Sequence, residues 1–288
     1  MFTLSTTLSS YTRDTVALAS NIGVQILISL AFGLLFFKGG TSYYSLSTAT
    51  TQDIQEQQSR LGLIFGFIFG IWHTTILSAA MFHNKSILFF REVKSGYYTA
   101  GPYFLSKFIC EMLPNRLVPI ILYSCVTYWM GGLWKSAEVF ILWLLPLLTM
   151  AMCSGSILLL YCSIFSTIQI VCQSFVLTTL LMLFTMGLTP SLNQLPVVIR
   201  WMQYISIPRY TLVNHVINEF LNLPDGMQDN VTVLTTQERI EVIGKLFEIP
   251  IEDFHYGTYW RNYGIVWAIT IVAILGTYLI LKLKTNRL

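Results

Sequence analysis

Apolar residues in this chain gather into long runs separated by short polar stretches, and the runs exceed what the core of a soluble domain needs. Val16–Phe37, Leu61–Phe82, Val139–Phe165, Ile168–Leu188 and Gly264–Leu281 contain no charged side chain. A sixth run, Phe104–Met130, carries Lys107, Glu111 and Arg116 in its first half only. A helix needs roughly 20 mostly apolar residues to cross a bilayer. The pattern therefore predicts six transmembrane helices, at 16–37, 61–82, 104–130, 139–165, 168–188 and 264–281, in one all-α integral membrane domain covering 1–288.

Composition sharpens this reading. Of 288 residues, 54% are hydrophobic and 11% charged, against about 25% charged in an ordinary soluble domain. Residues 1–13 lack the basic start, short apolar core and small-residue cleavage site of a secretory signal, so the first run is expected to act as the insertion signal. Cys110, Cys125, Cys153, Cys162 and Cys172 all lie in or beside apolar runs and show neither zinc spacing nor a C-x-x-C motif. A metal site or disulfide framework is not expected. The net charge of +3 gives no reason to invoke nucleic acid.

Charge placement orients the chain. With the N-terminus cytosolic, Lys85, Arg91, Lys94, Lys282, Lys284 and Arg287 all fall inside, as the positive-inside rule requires. The long stretch between the fifth and sixth runs is rich in acids, among them Glu219, Asp225, Asp229, Glu238 and Glu241, and reads as external. Within 189–258 the pattern predicts two short helices at the membrane surface, near Gln194–Tyr204 and Arg209–Phe220, followed by a polar cap over Leu223–Tyr256. Asn230-Val231-Thr232 is an N-glycosylation sequon in that cap, and Asn84-Lys85-Ser86 lies on the cytosolic side. Asn230 is the one expected to carry glycan.

Gly62, Gly66 and Gly70 recur every four residues in the second run and make a smooth stripe that lets a helix approach closely. Phe65, Phe69 and His73 flank it with rings. Such a surface serves ordinary helix packing or holds a flat apolar ligand. In the third run, Lys107 and Glu111 are spaced to pair along a helix that starts at the headgroups and reaches hydrocarbon after Arg116. Asn21, Gln25, Gln169, Gln173, Thr178 and Thr179 recur at helical spacing and are expected to bond between helices. Cys153-Ser154-Gly155-Ser156 places serines in the membrane, but Met152 stands where an intramembrane serine protease motif needs glycine.

Two blocks carry a family resemblance. Phe90-Arg91-Glu92, Gly96-Tyr97-Tyr98, Tyr103-Phe104-Leu105-Ser106-Lys107 and Leu113-Pro114-Asn115-Arg116 form the first. Trp201-Met202-Gln203-Tyr204, Ser206-Ile207-Pro208-Arg209-Tyr210 and Asn218-Glu219-Phe220 form the second. In this order they resemble the transmembrane domain of half-transporters of the G (White) subfamily of ABC transporters, with the nearest likeness to the breast cancer resistance (multidrug) branch.

The resemblance implies an ATPase domain joined ahead of the membrane domain, with 1–15 as the end of the connecting helix. It also implies a homo- or heterodimer with the substrate cavity between protomers, walled by the second and fifth spans. On that basis Phe65, Phe69, His73, Leu180 and Leu183 are cavity candidates, and Leu188 with Thr189 is the plug. Residues 86–98, with Phe90, Arg91, Glu92, Gly96 and Tyr97, become the amphipathic coupling helix that receives motion from the ATPase.

Departures from the family pattern stand at Asn84-Lys85, where the family often has a Glu-Arg pair, at Thr189 in place of a second plug leucine, and at His73 in place of a cavity phenylalanine. The cap's cysteines also have no counterpart between Asn222 and Tyr259. No Gly-x-x-x-x-Gly-Lys-Ser/Thr loop occurs, so nothing here holds nucleotide phosphates. ATP and magnesium are expected in a nucleotide-binding domain outside this chain, and no enzymatic activity is expected of the chain itself. The leading expectation is a multi-pass plasma-membrane exporter subunit for amphipathic or lipid-like compounds, surrounded by membrane lipid. Rival readings are a non-transporting dimerisation partner, which would need no coupling loop, and a channel or secondary transporter, which would carry charges or broken helices at mid-membrane.

Overall fold

The computed structural model describes residues 15–37, 101, 104–105, 108–133, 136–187, 192–222, 226–228, 231–233, 237, 240–241, 244 and 249–286, together with positions 62, 64, 66, 68, 70–72, 75–76, 78–79 and 82–83 of the second apolar run. The fold is helical. Helix α1 spans Thr15–Leu35, and the described positions from 62 to 76 are helical. A π-helical segment, Phe108–Met112, leads directly into α2, Leu113–Gly131. Then come α3 (Ala137–Ile164), α4 (Ile168–Phe184), α5 (Val197–Arg200), α6 (Ile207–Leu221) and α7 (Tyr256–Asn286). Short strands β1 (Gly226–Gln228) and β2 (Val231–Val233) pair antiparallel with Gln228 opposite Val231, a detail the all-α expectation did not include.

Cross-helix contacts fix the direction of each helix. Asn21 donates to Asn115 at 3.1 Å near one end of α1 and α2, while a Cβ built at Gly33 would lie 2.8 Å from the Met130 sulfur near the other, so these two run parallel. The second run is antiparallel to both, because Gly62 faces Phe36, Gly66 faces Phe32, and Arg116 of α2 reaches Ser78. Helices α3 and α7 are parallel: Tyr259 donates to the Leu142 carbonyl at 2.6 Å, and Lys284 reaches the Ser163 and Ile164 carbonyls at the far end. A break at 165–167 turns the chain back into α4, where Tyr161 and Thr178 hydroxyls meet at 2.6 Å.

Among the described residues, Ala137–Ile164 and Tyr256–Thr285 are long and apolar enough to cross a membrane by length and composition, and Ala19–Leu35 and Ile168–Phe184 are shorter apolar helices. Helix α3 is central and buried along most of its length. Helix α7 turns a broad apolar face outward through Ile271, Val272, Leu275, Leu279 and Leu283. Its start carries a ladder of rings in edge contact, Tyr259–Trp260–Tyr263–Trp267, with Lys282 and Lys284 near its end. From Trp260 to Lys282 the helix rises about 33 Å at 1.5 Å per residue, close to the roughly 30 Å of bilayer hydrocarbon. Aromatic rings and lysines at those two levels suit the two membrane interfaces.

Three expectations are corrected. The last helix begins at Tyr256 rather than 264; its polar first turns are paired, Arg261 with Asp253 at 3.1 Å and Asn262 with Asn214 at 3.1 Å, so low hydropathy did not stop the helix. The second short surface helix, α6, is instead enclosed by α3, α4 and α7, with nearly every residue from Ile207 to Phe220 buried. Its polar side chains bond sideways: Asn214 donates to the Tyr259 carbonyl, Asn218 to the Val139 carbonyl, and Asn222 to the Tyr256 hydroxyl. The first, α5 with the following 3-10 turn, does expose Val197, Val198, Trp201 and Tyr204, as a helix lying in a membrane surface would.

The third concerns the surroundings of Arg116, a charge that reads as wet but faces inward among the helices, 3% exposed. It donates to the Ser78 hydroxyl at 2.6 Å and lies 5.8 Å from the centre of the Phe82 ring.

Candidate translocation site

The second run and α4 are the sequence's proposed cavity walls. At their contact, the Trp72 and Phe175 rings lie 5.5 Å apart at 41°. The described positions of the second run are almost all buried, Ile64, Ile68, Ile71, Trp72, Thr75, Ala79 and Phe82 among them. Its glycine stripe is occupied from within the chain: a Cβ at Gly62 would meet the Phe36 ring at 2.5 Å, at Gly66 the Phe32 ring at 2.5 Å, and at Gly70 the Tyr123 ring at 2.9 Å. The Tyr123 hydroxyl donates to the Gly66 carbonyl at 2.7 Å, a bond that only a bare glycine backbone at this spacing admits. Phe65, Phe69 and His73 lie outside the described residues.

Helix α4 buries Val171, Phe175 and Met182 and turns the opposite face outward through Gln169, Gln173, Val176, Leu177, Leu180 and Phe184. Leu180 is 45% exposed, while Leu183 is half-buried and packs against the core. Of the polar residues expected to bond between helices, Asn21 and Thr178 do so. Thr179 bonds back to the Phe175 carbonyl of its own helix. Gln25 is fully buried with neither amide atom partnered.

The C-terminal end of α4 is built by residues that entered the sequence reading only as part of a family motif. The last carbonyls of a helix have no partner within it. Ser206 donates to the Met182 carbonyl at 2.7 Å, and Arg209 donates to the Met186 carbonyl at 3.2 Å, where a cation also complements the helix dipole. Gly187 follows at φ 87°, and a Cβ there would stand 2.6 Å from Arg209 Nη1. Helix α4 therefore stops at Phe184 rather than 188, and the proposed plug, Leu188 and Thr189, lies just beyond, outside the described residues. So do the coupling segment 86–98, with Phe90, Arg91, Glu92, Gly96 and Tyr97, and the sequon residue Asn230.

Sequence reasoning also missed the interior of α6. His215 is fully buried and stacks on Trp143 with ring centres 4.1 Å apart at 14°. Burial pushes its imidazole down to about 3, so it is neutral near pH 7. The unfolded chain takes up this proton below about pH 6.5 and the folded chain does not, so the associated stability is present above that pH and lost as pH falls. Lowering the pH from 7 to 5 is expected to remove about 2 kcal/mol at this residue. His215→Phe, which keeps the stack, should flatten that part of the pH dependence of thermal unfolding.

Comparison with known proteins bears on the whole arrangement. Residues 2–220 match the family model described as ABC-2 type transporter. The chain is 29% identical over 214 residues to the broad substrate specificity ATP-binding cassette transporter ABCG2 of Rattus norvegicus, covering 74% of this chain and 31% of that protein. It is 26% identical over 276 residues to ATP-binding cassette sub-family G member 3 of Mus musculus, covering 92% of this chain and 40% of that protein. A probable ATP-dependent permease of Saccharomyces cerevisiae is 34% identical over 121 residues, 42% of this chain and 10% of its own. The chain thus spans about a third of the length of the curated relatives that it matches over most of its own. The family model covers most of the chain, so the chain belongs to the ABC-2 type transporter family of integral membrane proteins and stands beside the ATP-binding cassette transporters of sub-family G.

Proposed function

We propose that this chain is the membrane-spanning part of an ATP-driven exporter that moves an amphipathic or lipid-like compound by alternating access. In this reading all six apolar helices cross the membrane, with the acidic stretch between α4 and α7 outside as a cap. Two such domains face each other as a homo- or heterodimer at the plasma membrane. ATP and magnesium are bound by an ATPase domain supplied in cis or in trans, and this chain, lacking a phosphate-binding loop, performs no hydrolysis.

The observation that carries the reading is the pairing of the second run with α4 through Trp72 and Phe175, while the opposite face of α4 stays open. That face offers amides at its inner end and Leu177, Leu180 and Phe184 toward its outer end, a lining suited to a molecule with one polar and one apolar part. The alternating helix directions and the sorting of rings and lysines on α7 support the six-span topology.

Crosslinking tests the cavity. Cysteines at Phe69, His73 or Leu180 are expected to crosslink between protomers, with yields that change when the associated ATPase binds nucleotide. Reaction with lipid-phase probes alone, and no crosslink in any nucleotide state, would remove these residues from the cavity.

A further inference from the structure

We propose that Tyr161 is a positioning residue for the cavity wall: its hydroxyl bond to Thr178 fixes the rotation of α4, and with it the side chains that α4 turns toward the transported compound. This rests on the proposed reading, in which the open face of α4 lines the cavity.

Apolar burial specifies that rotation weakly. Helix α4 buries only Val171, Phe175 and Met182 among the described residues, while Leu177 is 61% and Leu180 45% exposed on the opposite face. Lipid tails are as apolar as leucine, so turning one such face or another inward changes little. Polar bonds have to decide. Tyr161 of α3 and Thr178 meet hydroxyl to hydroxyl at 2.6 Å, and Thr178 Oγ1 also lies 2.8 Å from the Ser174 carbonyl of its own helix. A hydroxyl carries one proton. Thr178 donates its own to that carbonyl, so Tyr161 is the donor between the helices. Among the described residues no other pair of side chains hydrogen-bonds α4 to a neighbouring helix.

The donor is held in place. Lys284 of α7 donates to the carbonyls of Ser163 and Ile164, within one turn of Tyr161, and the Tyr161 ring centre lies 6.1 Å from that of Phe165. A helical side chain points back toward the N-terminus of its helix, so the phenol reaches away from the turn at 165–167 and toward the middle of α4. Thr178 follows Phe175 by three residues, which places it about 60° around the helix from the ring that meets Trp72. Two contacts at different angles fix a rotation that one alone would leave open. A hydrogen bond between membrane helices shifts an equilibrium about threefold on average and about twentyfold at most. That biases α4 without locking it, as a wall that moves in each transport cycle requires.

Spin labels at native Cys172 or at Ser174→Cys, one per chain with the remaining cysteines replaced, test this in the full chain in lipid vesicles. Both positions are half-buried and flank Phe175 on opposite sides of the helix. Tyr161→Phe removes only the hydroxyl. It is expected to change the ratio of oxygen collision rates at the two labels about threefold, one rate rising as the other falls. Thr178→Val should do the same, the double variant should add nothing further, and Thr178→Ser, which keeps the acceptor, should hold the parent ratio. A bond that merely adds stability would, once lost, loosen α4 and raise both rates together. That result would overturn the inference, as would an unchanged ratio or additive effects in the double variant. If Tyr161→Phe does not assemble, Thr178→Val against Thr178→Ser decides, and equal ratios in the two overturn it. The labels read the angle of α4 whether or not it lines a cavity; failure of that reading would show instead as absence of the Leu180→Cys crosslink between protomers.

Discussion

Gly66→Leu is expected to abolish a monodisperse, folded chain. In lipid there is little hydrophobic drive for one helix to join another, so association depends on close packing and on bonds between helices. Gly66 supplies both. Its missing side chain makes room for the Phe32 ring, which a Cβ would meet at 2.5 Å, and its carbonyl receives the Tyr123 hydroxyl at 2.7 Å. A leucine would push α1 away and disturb the packing that brings the Gly66 carbonyl to the Tyr123 hydroxyl. Gly66→Ala should cost about 1–3 kcal/mol, in the range for overpacking, and Phe32→Leu should recover part of it by shrinking the opposing ring. Gly23, with nothing within 4 Å of a built Cβ, is the control, and Gly23→Ala should be silent. Size-exclusion profiles and melting temperatures of these four chains measure the effect. A Gly66→Leu chain that melts with the parent would show that the stripe bears no load.

Arg116→Ala is the second large effect. The guanidinium is buried among the Ser78 hydroxyl, the Thr75 carbonyl and the Phe82 ring, and Thr75 in turn meets Ser154 of α3 at 2.9 Å. The residue thus joins α2, the second run and α3. Alanine would leave a large void and strand the Ser78 hydroxyl, at about 2–5 kcal/mol, the range for cutting a large buried side chain back to alanine. Arg116→Met retains most of the volume and removes the charge, so it should cost clearly less. Thermal unfolding in detergent ranks the variants. Equal melting of Arg116→Ala and the parent would show that this junction of three helices bears no load.

The buried partners of Arg116 show where the sequence ran out. The long apolar runs were legible because lipid solvent demands them, and α1, α3 and α4 begin within two residues of the expected starts. The three surprises share one cause. Arg116, Asn214 and Asn218 of α6 and Asn262 at the start of α7 look exposed by composition, yet each is bonded to a partner far away in the chain. Such partners have no local signature.

The glycine stripe could be read from its four-residue spacing, but not that Phe32, Phe36 and Tyr123 of the same chain would fill it. The motif around Ser206 and Arg209 was legible as a likeness, whereas the carbonyls it bonds, Met182 and Met186, lie 24 and 23 residues away in the chain and carry no local signal.

Uphill transport requires a ligand that binds the two conformations differently, and the proposed reading assigns ATP to a domain outside this sequence, in which no Gly-x-x-x-x-Gly-Lys-Ser/Thr loop occurs. Reconstitution of the purified chain with a fluorescent phospholipid as probe is therefore the most direct measurement of the central claim. With ATP and no other protein, the account predicts no net movement of the probe against its gradient. With a sub-family G ATPase domain fused ahead of Arg13, it predicts ATP-dependent movement that is lost in Glu92→Ala at unchanged expression. Uphill movement by the isolated chain on adding ATP would contradict it.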